Sequence, residues 1–107
     1  MISVVIPVHD EERSVALLYE ELEAALEPGG EPWEAVFVDD GSTDGTFAAL
    51  TRLHARTANT RVVRLRRNFG KSTALAAGFA QAEGETIVTI DGDLQDDPAE
   101  LPRLLAK

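Results

Sequence analysis

Five consecutive residues, Asp91, Gly92, Asp93, Leu94 and Gln95, have the types and spacing of a site for a hard divalent cation. In extended backbone, residues two apart point the same way, so Asp91, Asp93 and Gln95 would present three oxygen donors to one side. Mg²⁺ and Mn²⁺ take carboxylate and amide oxygens and commonly share their shell with substrate phosphates. Gly92 leaves room for a close approach. The alternative is an acidic turn leading into a helix. It accounts for the residues that follow, because Asp97, Pro98 and Glu100 fall at the N-cap, N1 and N3 positions of a capping-box variant.

A second cluster runs from Asp39 to Thr46. Ser42, Thr43 and Asp44 are all good helix N-caps, and Asp44 is read as one. Capping does not explain two adjacent carboxylates, Asp39 and Asp40, at the end of an apolar run. They repel each other, and a base or ribose hydroxyl donating a hydrogen bond would give Asp40 a partner. Further on, Gly70-Lys71-Ser72 resembles the end of a P-loop, and Ile87 to Asp91 resembles a Walker B strand. A P-loop needs glycine five positions before Gly70, where this chain has Leu65, and Arg66-Arg67-Asn68-Phe69 cannot wrap a phosphate. Lys71 can still meet a phosphate as a plain cation at a helix N-terminus. Alternatively, Arg66, Arg67 and Lys71 offset the acidic loops. His9, beside Asp10 and Glu11, is placed to touch a ligand, but a lone histidine supports no general-base assignment.

Four apolar runs are available to position these loops: Ser3 to Ile6, Ala35 to Val38, Arg61 to Leu65 and Thr86 to Ile90. All but the third lack clean alternation, as expected of strands covered on both faces of a parallel sheet. Arg64 predicts partial exposure of the third. Between the runs, Val15, Leu18, Leu22 and Leu26 mark a helix ended by Pro28-Gly29-Gly30. Phe47, Leu50, Leu53 and His54 mark a second. Leu75, Phe79 and Ala82 mark a third, closed by Gly84, and a fourth begins near Pro98. The order βαβαβαβα predicts an α/β fold: a Rossmann-like, mostly parallel sheet with helices on both faces. Ligands of such sheets bind beyond the carboxyl ends of the strands, where all the polar clusters above lie.

The chain's 107 residues suit one domain. Its net charge of −9 argues against a nucleic-acid partner. Without cysteine there is no disulfide framework, thiolate metal site or cysteine nucleophile. The N-terminus has no basic n-region and is interrupted by Pro7, so no signal peptide is expected. No apolar run approaches the roughly 20 residues of a membrane span. The expected location is the cytoplasm, or the cytoplasmic face of a membrane in a longer protein.

Taken in order, Val5 to Glu12, Val38 to Thr46, Arg67 to Lys71 and Asp91 to Asp96 resemble the motifs of family 2 glycosyltransferases of the GT-A type. Within that family they are most similar to the dolichyl-phosphate mannose synthases and polyprenyl-phosphate sugar transferases. The resemblance implies that residues 1–107 form the N-terminal, nucleotide-sugar-binding half of a GT-A domain. It places Pro7, His9 and Glu11 in the nucleoside pocket and Val38 and Asp40 beside base and ribose. Asp91 and Asp93 would hold Mg²⁺ or Mn²⁺ against the diphosphate, with Gln95 completing the shell and Gly92 close to the nucleotide. His9 stands where the family often has an aromatic residue.

The implied reaction is metal-dependent, inverting transfer of a sugar from a GDP- or UDP-linked donor to an acceptor such as a polyprenyl phosphate. No catalytic residue beyond the metal ligands is expected in this chain. The acceptor side of the family's fold needs a further stretch of similar length. A chain of 107 residues is therefore expected to bind nucleotide weakly, to transfer little sugar alone, and to be open to self-association through an uncovered strand edge. The competing reading is a noncatalytic, receiver-like module. A receiver would place its phosphoacceptor after the third strand, where this chain has arginines.

Overall fold

The structure is a computed structural model and describes residues 1–90. Four strands, β1 (Ile2–Val8), β2 (Trp33–Asp39), β3 (Thr60–Arg64) and β4 (Thr86–Thr89), form one sheet in the order β3-β2-β1-β4. Each strand pairs with its neighbour in parallel. Three helices connect them: α1 (Val15–Leu26), α2 (Thr46–Ala55) and α3 (Lys71–Gln81). The expected α/β, Rossmann-like fold is what forms.

The two-residue period of the strands divides the core between the faces of the sheet. Val4, Ile6 and Val8 of β1 and Ala35 and Phe37 of β2 point to one side. There they pack on Val15, Leu18, Leu22 and Leu26 of α1 and Leu50 and Leu53 of α2. Val5, Val36 and Val38 point to the other side and pack on Ala74 of α3. Every residue of β1 and β2 is buried, which is why neither run alternates. At the end of α1 the chain turns through a short 3-10 segment, Glu27–Gly29, into Gly30, whose φ of 75° is the left-handed conformation glycine adopts without strain.

Two expectations about this core need correction. Strand β4 is an edge among the described residues and is largely exposed, with Ile87 44% accessible; its apolar run reflects composition and not two-sided burial. On α3, Phe79 faces out at 44%, and the buried positions are Ala74 and Gly78. The reason is close approach. A Cβ on Gly78 would lie 2.4 Å from a Val5 methyl and 3.1 Å from one of Val38, so only small residues fit where α3 crosses the sheet.

The strand order fixes where a ligand can enter. The chain builds outward from β1 to β2 to β3, then crosses by α3 to β4 on the other side of β1. The switch in direction lies between β1 and β4, where open parallel sheets hold ligands. Pro7 marks this point. The carbonyls of Met1 and Val5 accept bonds from the β4 side, so odd-numbered positions of β1 face β4. The last described bond on that side is from the Ile90 N–H to the Val5 carbonyl at 3.2 Å. Pro7, which has no N–H to give, comes just beyond it, where the described strands no longer pair.

Candidate functional site

Beyond the carboxyl ends of β1, β2 and β3, three loops are tied to one another by side chains acting on backbone. Asp10 holds the first loop to the second. Its Oδ1 accepts the N–H of Thr43 at 2.8 Å and of Asp44 at 3.3 Å, and its own N–H donates to Ser42 Oγ at 2.9 Å. Asp10 has a φ of 53°, a strained value that this net of bonds offsets. The Glu11 N–H donates to Thr46 Oγ1 at 2.8 Å, adding a second tie. Gly45, not Asp44, is the residue immediately before α2. Asp44 nevertheless does capping work, since its Oδ1 takes both the N–H and the hydroxyl of Thr46. Those bonds hold its carboxyl below the usual aspartate pKa.

The adjacent carboxylates find different partners. Asp39 is fully buried; Oδ1 accepts the Ser42 N–H at 2.9 Å, while Oδ2 is buried without a hydrogen-bond partner among the described residues. Asp40, 5% exposed, turns to the third loop, accepting the Phe69 N–H at 2.8 Å and the Gly70 N–H at 3.0 Å on its two oxygens. Gly70 reaches this position with a φ of 100°. Asp40 thus fixes the path of the chain into α3. The Asp40 carbonyl lies 2.9 Å from His9 Nδ1, and because a carbonyl can only accept, that nitrogen carries the proton. The ring is thereby held in one orientation, with Nε2 3.3 Å from Asp10 Oδ2.

These ties enclose a cleft of about 230 Å³ lined by Pro7, Val8, His9, Glu11, Asp40, Asn68, Gly70 and Lys71. Pro7, His9, Glu11, Asp40 and Lys71 were all singled out in the sequence, on three different loops, and the fold collects them around one space. Val38 does not join them. Its side chain is fully buried beneath α3, because β2 points it to the face that Gly78 covers. Asn68, Gly70 and Val8 also line the cleft; they stand inside the motifs but carry no ligand role in the sequence reading. The signal for the first two was the glycine itself, since a turn able to aim two successive N–H groups at one carboxylate needs a positive φ.

Asp91, Gly92, Asp93 and Gln95, together with the expected cap at Asp97 and the helix from Pro98, lie outside the described residues. Among the described residues no group of three or more His, Cys, Asp or Glu is arranged to hold a metal ion. What the structure does fix is the approach. Thr89 pairs with Val5, so the chain reaches Ile90 beside β1 at the switch point, one residue short of Pro7's register.

Larger clefts exist elsewhere, away from the loops that carry the sequence motifs. One of about 650 Å³ lies at the opposite end of the sheet, between α1 and the start of β2. Its aromatic polar groups are already satisfied: Trp33 Nε1 donates to Glu27 at 2.8 Å and the Tyr19 hydroxyl to Asn59 at 2.6 Å.

The paired bonds at Asp40 lead to a first expected result. Asn in its place keeps one acceptor and turns an NH₂ toward an N–H, so Asp40→Asn should cost about 2 kcal/mol of stability. Amide exchange should report it locally, with faster exchange at Phe69 and Gly70 than at the β2 core. Unchanged protection at both amides would show that the latch is not what orders this loop.

Comparison with known proteins agrees with the geometry. The model of "Glycosyl transferase family 2" matches residues 3–107. The chain is 45% identical over 105 residues to the undecaprenyl-phosphate 4-deoxy-4-formamido-L-arabinose transferase of Pectobacterium carotovorum, covering 97% of this chain and 32% of that protein. It is 41% identical over 107 residues to the dodecaprenyl-phosphate galacturonate synthase of Rhizobium johnstonii, covering 99% and 32%. The chain therefore spans about a third of the length of these relatives. Among solved structures, glucosyl-3-phosphoglycerate synthase of Mycobacterium tuberculosis, in complex with Mn²⁺, uridine diphosphate and phosphoglyceric acid, superposes with a TM-score of 0.76 at 27% identity. That match covers 99% of this chain and 38% of the other. With the family model matched over residues 3–107 and the fold superposing on a solved structure along nearly the entire length, the chain belongs to glycosyl transferase family 2.

Proposed function

We propose that residues 1–107 are the donor-binding half of the GT-A domain of a glycosyltransferase that takes a sugar linked to a nucleoside diphosphate. The observation that carries this reading is the cleft beyond the carboxyl ends of β1, β2 and β3, whose loops bring together Pro7, His9, Glu11, Asp40 and Lys71. The cleft has the make-up of a nucleoside site. Pro7 and Val8 offer apolar surface, the fixed imidazole of His9 offers a flat face, and Asp40 and Asn68 offer acceptors and donors for a base or ribose. Lys71, the first residue of α3, would meet a phosphate there as a plain cation. Uridine diphosphate bound to the similar synthase supports a UDP-linked donor, with a GDP-linked donor as the alternative outcome of the test below.

The donor set Asp91, Asp93 and Gln95 consists of hard oxygen ligands and suits Mg²⁺ or Mn²⁺. The Mn²⁺ of the similar synthase supports that assignment. A cation held there would act as a Lewis acid on the charge that develops on the departing diphosphate. The acceptor we infer is a polyprenyl phosphate, from the names of the two relatives. Its oxygen is already anionic, so a direct, inverting displacement requires no strong base from this part of the protein. The remaining two thirds of the relatives' length would supply the acceptor side. No helix among the described residues is long and apolar enough to cross a membrane. The longer protein would work at the cytoplasmic face of the membrane that holds its acceptor.

Calorimetric titration with UDP and GDP, with and without Mn²⁺, tests the reading. Mn²⁺-dependent binding of one nucleotide is expected. Asp91→Ala and Asp93→Ala should each weaken it by roughly 100-fold, the upper end of the loss from removing even an outer-sphere partner. Mn²⁺-dependent binding retained in both variants would overturn the metal assignment.

A further inference from the structure

The segment from Thr60 to Ala82 contains Arg61, Arg64, Arg66, Arg67 and Lys71, half of the chain's ten basic residues, and no acidic residue. In a protein of net charge −9 this is a strong local reversal. Arg61 is engaged by Glu34 and Glu83. Arg64, Arg66 and Arg67 form no ion pair with another described residue and are exposed. Phe69 is 41% exposed on the same loop, with the Arg67 guanidinium 4.7 Å from its ring centroid. Beneath this tip the backbone is fastened, the Phe69 and Gly70 N–H groups both being held by Asp40. A buried carboxylate therefore fixes a loop whose outward face is two arginines and an aromatic ring.

We propose that Arg66, Arg67 and Phe69 form a docking surface for an anionic phospholipid bilayer. A bilayer interface presents phosphates and an apolar layer in one plane, which matches cations grouped around an exposed ring. Guanidinium groups stay at headgroup level while the ring enters the acyl boundary. Net negative charge elsewhere does not prevent this, because repulsion beyond the Debye length of about 8 Å is screened at physiological salt. It does oppose a long polyanion such as nucleic acid, which would extend past the patch toward the acidic loops. The inference concerns the outer side of the third loop. It stands independently of which nucleotide occupies the cleft, since Arg66, Arg67 and Phe69 do not line it.

Co-sedimentation of the 107-residue chain with vesicles tests it, using phosphatidylcholine alone and phosphatidylcholine mixed with phosphatidylglycerol. Binding is expected only to the mixed vesicles and should fall as salt is raised. At roughly fivefold per cation, the double variant Arg66→Gln/Arg67→Gln should weaken partitioning roughly 25-fold. Phe69→Ala should weaken it roughly tenfold through lost apolar burial. Phe79→Ala removes an equally exposed ring from α3, outside the patch, and should change nothing. Absence of binding to mixed vesicles overturns the proposal. So does binding that survives the double arginine variant, equal effects of Phe69→Ala and Phe79→Ala, or binding to a single-stranded oligonucleotide in place of vesicles. Because the replaced side chains lie at the surface, an unchanged far-UV circular dichroism spectrum is expected for every variant.

Discussion

Replacing Gly41 with alanine is expected to lower the free energy of unfolding by roughly 3 to 5 kcal/mol, a large share of what a domain of this size possesses. Two causes combine. Gly41 has a φ of 70°, which costs a residue with a Cβ roughly 1 to 2 kcal/mol. In addition, the Cβ would stand 2.2 Å from the Arg67 carbonyl carbon and 2.3 Å from the Asn68 nitrogen. Both are backbone atoms of a loop that Asp40 already holds, so it cannot yield as a flexible side chain would. Gly30 separates the two causes. It has nearly the same φ, 75°, but nothing lies within 4 Å of its would-be Cβ. Gly30→Ala should therefore show the conformational cost alone. Urea denaturation of both variants measures the difference, and equal losses would show that the contact between the second and third loops contributes nothing. Because that contact sets the positions of Asn68, Gly70 and Lys71 in the cleft, nucleotide affinity should fall in the folded fraction of Gly41→Ala but not of Gly30→Ala.

The same glycine shows where sequence reading succeeds and where it stops. The strands and helices were legible because burial on both faces leaves unbroken Val and Ile runs, as in Val4-Val5-Ile6 and Val36-Phe37-Val38, and because α1 repeats leucine at helical spacing. The identities of the cleft residues were legible for a related reason: topology sends every loop after a strand to the same end of the sheet. The partners were not. Asp40 looked like a carboxylate in need of a ligand, yet its oxygens take two backbone N–H groups nearly 30 residues away. Asp10 stands out only as a neighbour of His9, although it is the residue that joins the first two loops. Such bonds depend on which loops come into register, and no local spacing encodes that. Phe79 misled for the opposite reason. Helical periodicity marks an apolar stripe, but the demand for small residues at the α3 crossing lets Ala74 and Gly78 take the buried face instead. The exposure of β4 was equally hidden, because a strand's composition does not record whether a neighbour covers it.

The remaining large effect is expected far from the cleft, at Glu34 on β2, whose side chain is buried at the amino ends of the strands. Its Oε2 accepts the Ser3 hydroxyl at 2.6 Å and the Glu83 N–H at 2.8 Å, and its Oε1 accepts Arg61 Nε at 2.8 Å. Ser3 Oγ in turn accepts the Gly84 N–H at 2.7 Å. One carboxylate thus joins β1, β2, β3 and the turn that carries α3 into β4. Glu34→Ala leaves three buried or half-buried donors without a partner and should cost roughly 3 to 5 kcal/mol. Glu34→Gln keeps the volume but offers a single oxygen to donors on two sides, and should cost somewhat less. Acid separates charge from shape. Burial alone would raise the Glu34 pKa, but the bonds from the Glu83 N–H, Ser3 and Arg61 outweigh it and hold the pKa below the ordinary value. A carboxyl whose folded pKa is depressed contributes its full stability above the unfolded pKa, roughly 4.3, and loses it as pH falls through the lower folded value. The stability gap between the native protein and Glu34→Gln, followed by urea midpoints from neutral pH downward, should therefore be constant to about pH 5 and narrow below about pH 4. A gap that stays constant through this range would mean that the carboxylate's charge is not what holds these three strands and the α3 turn together.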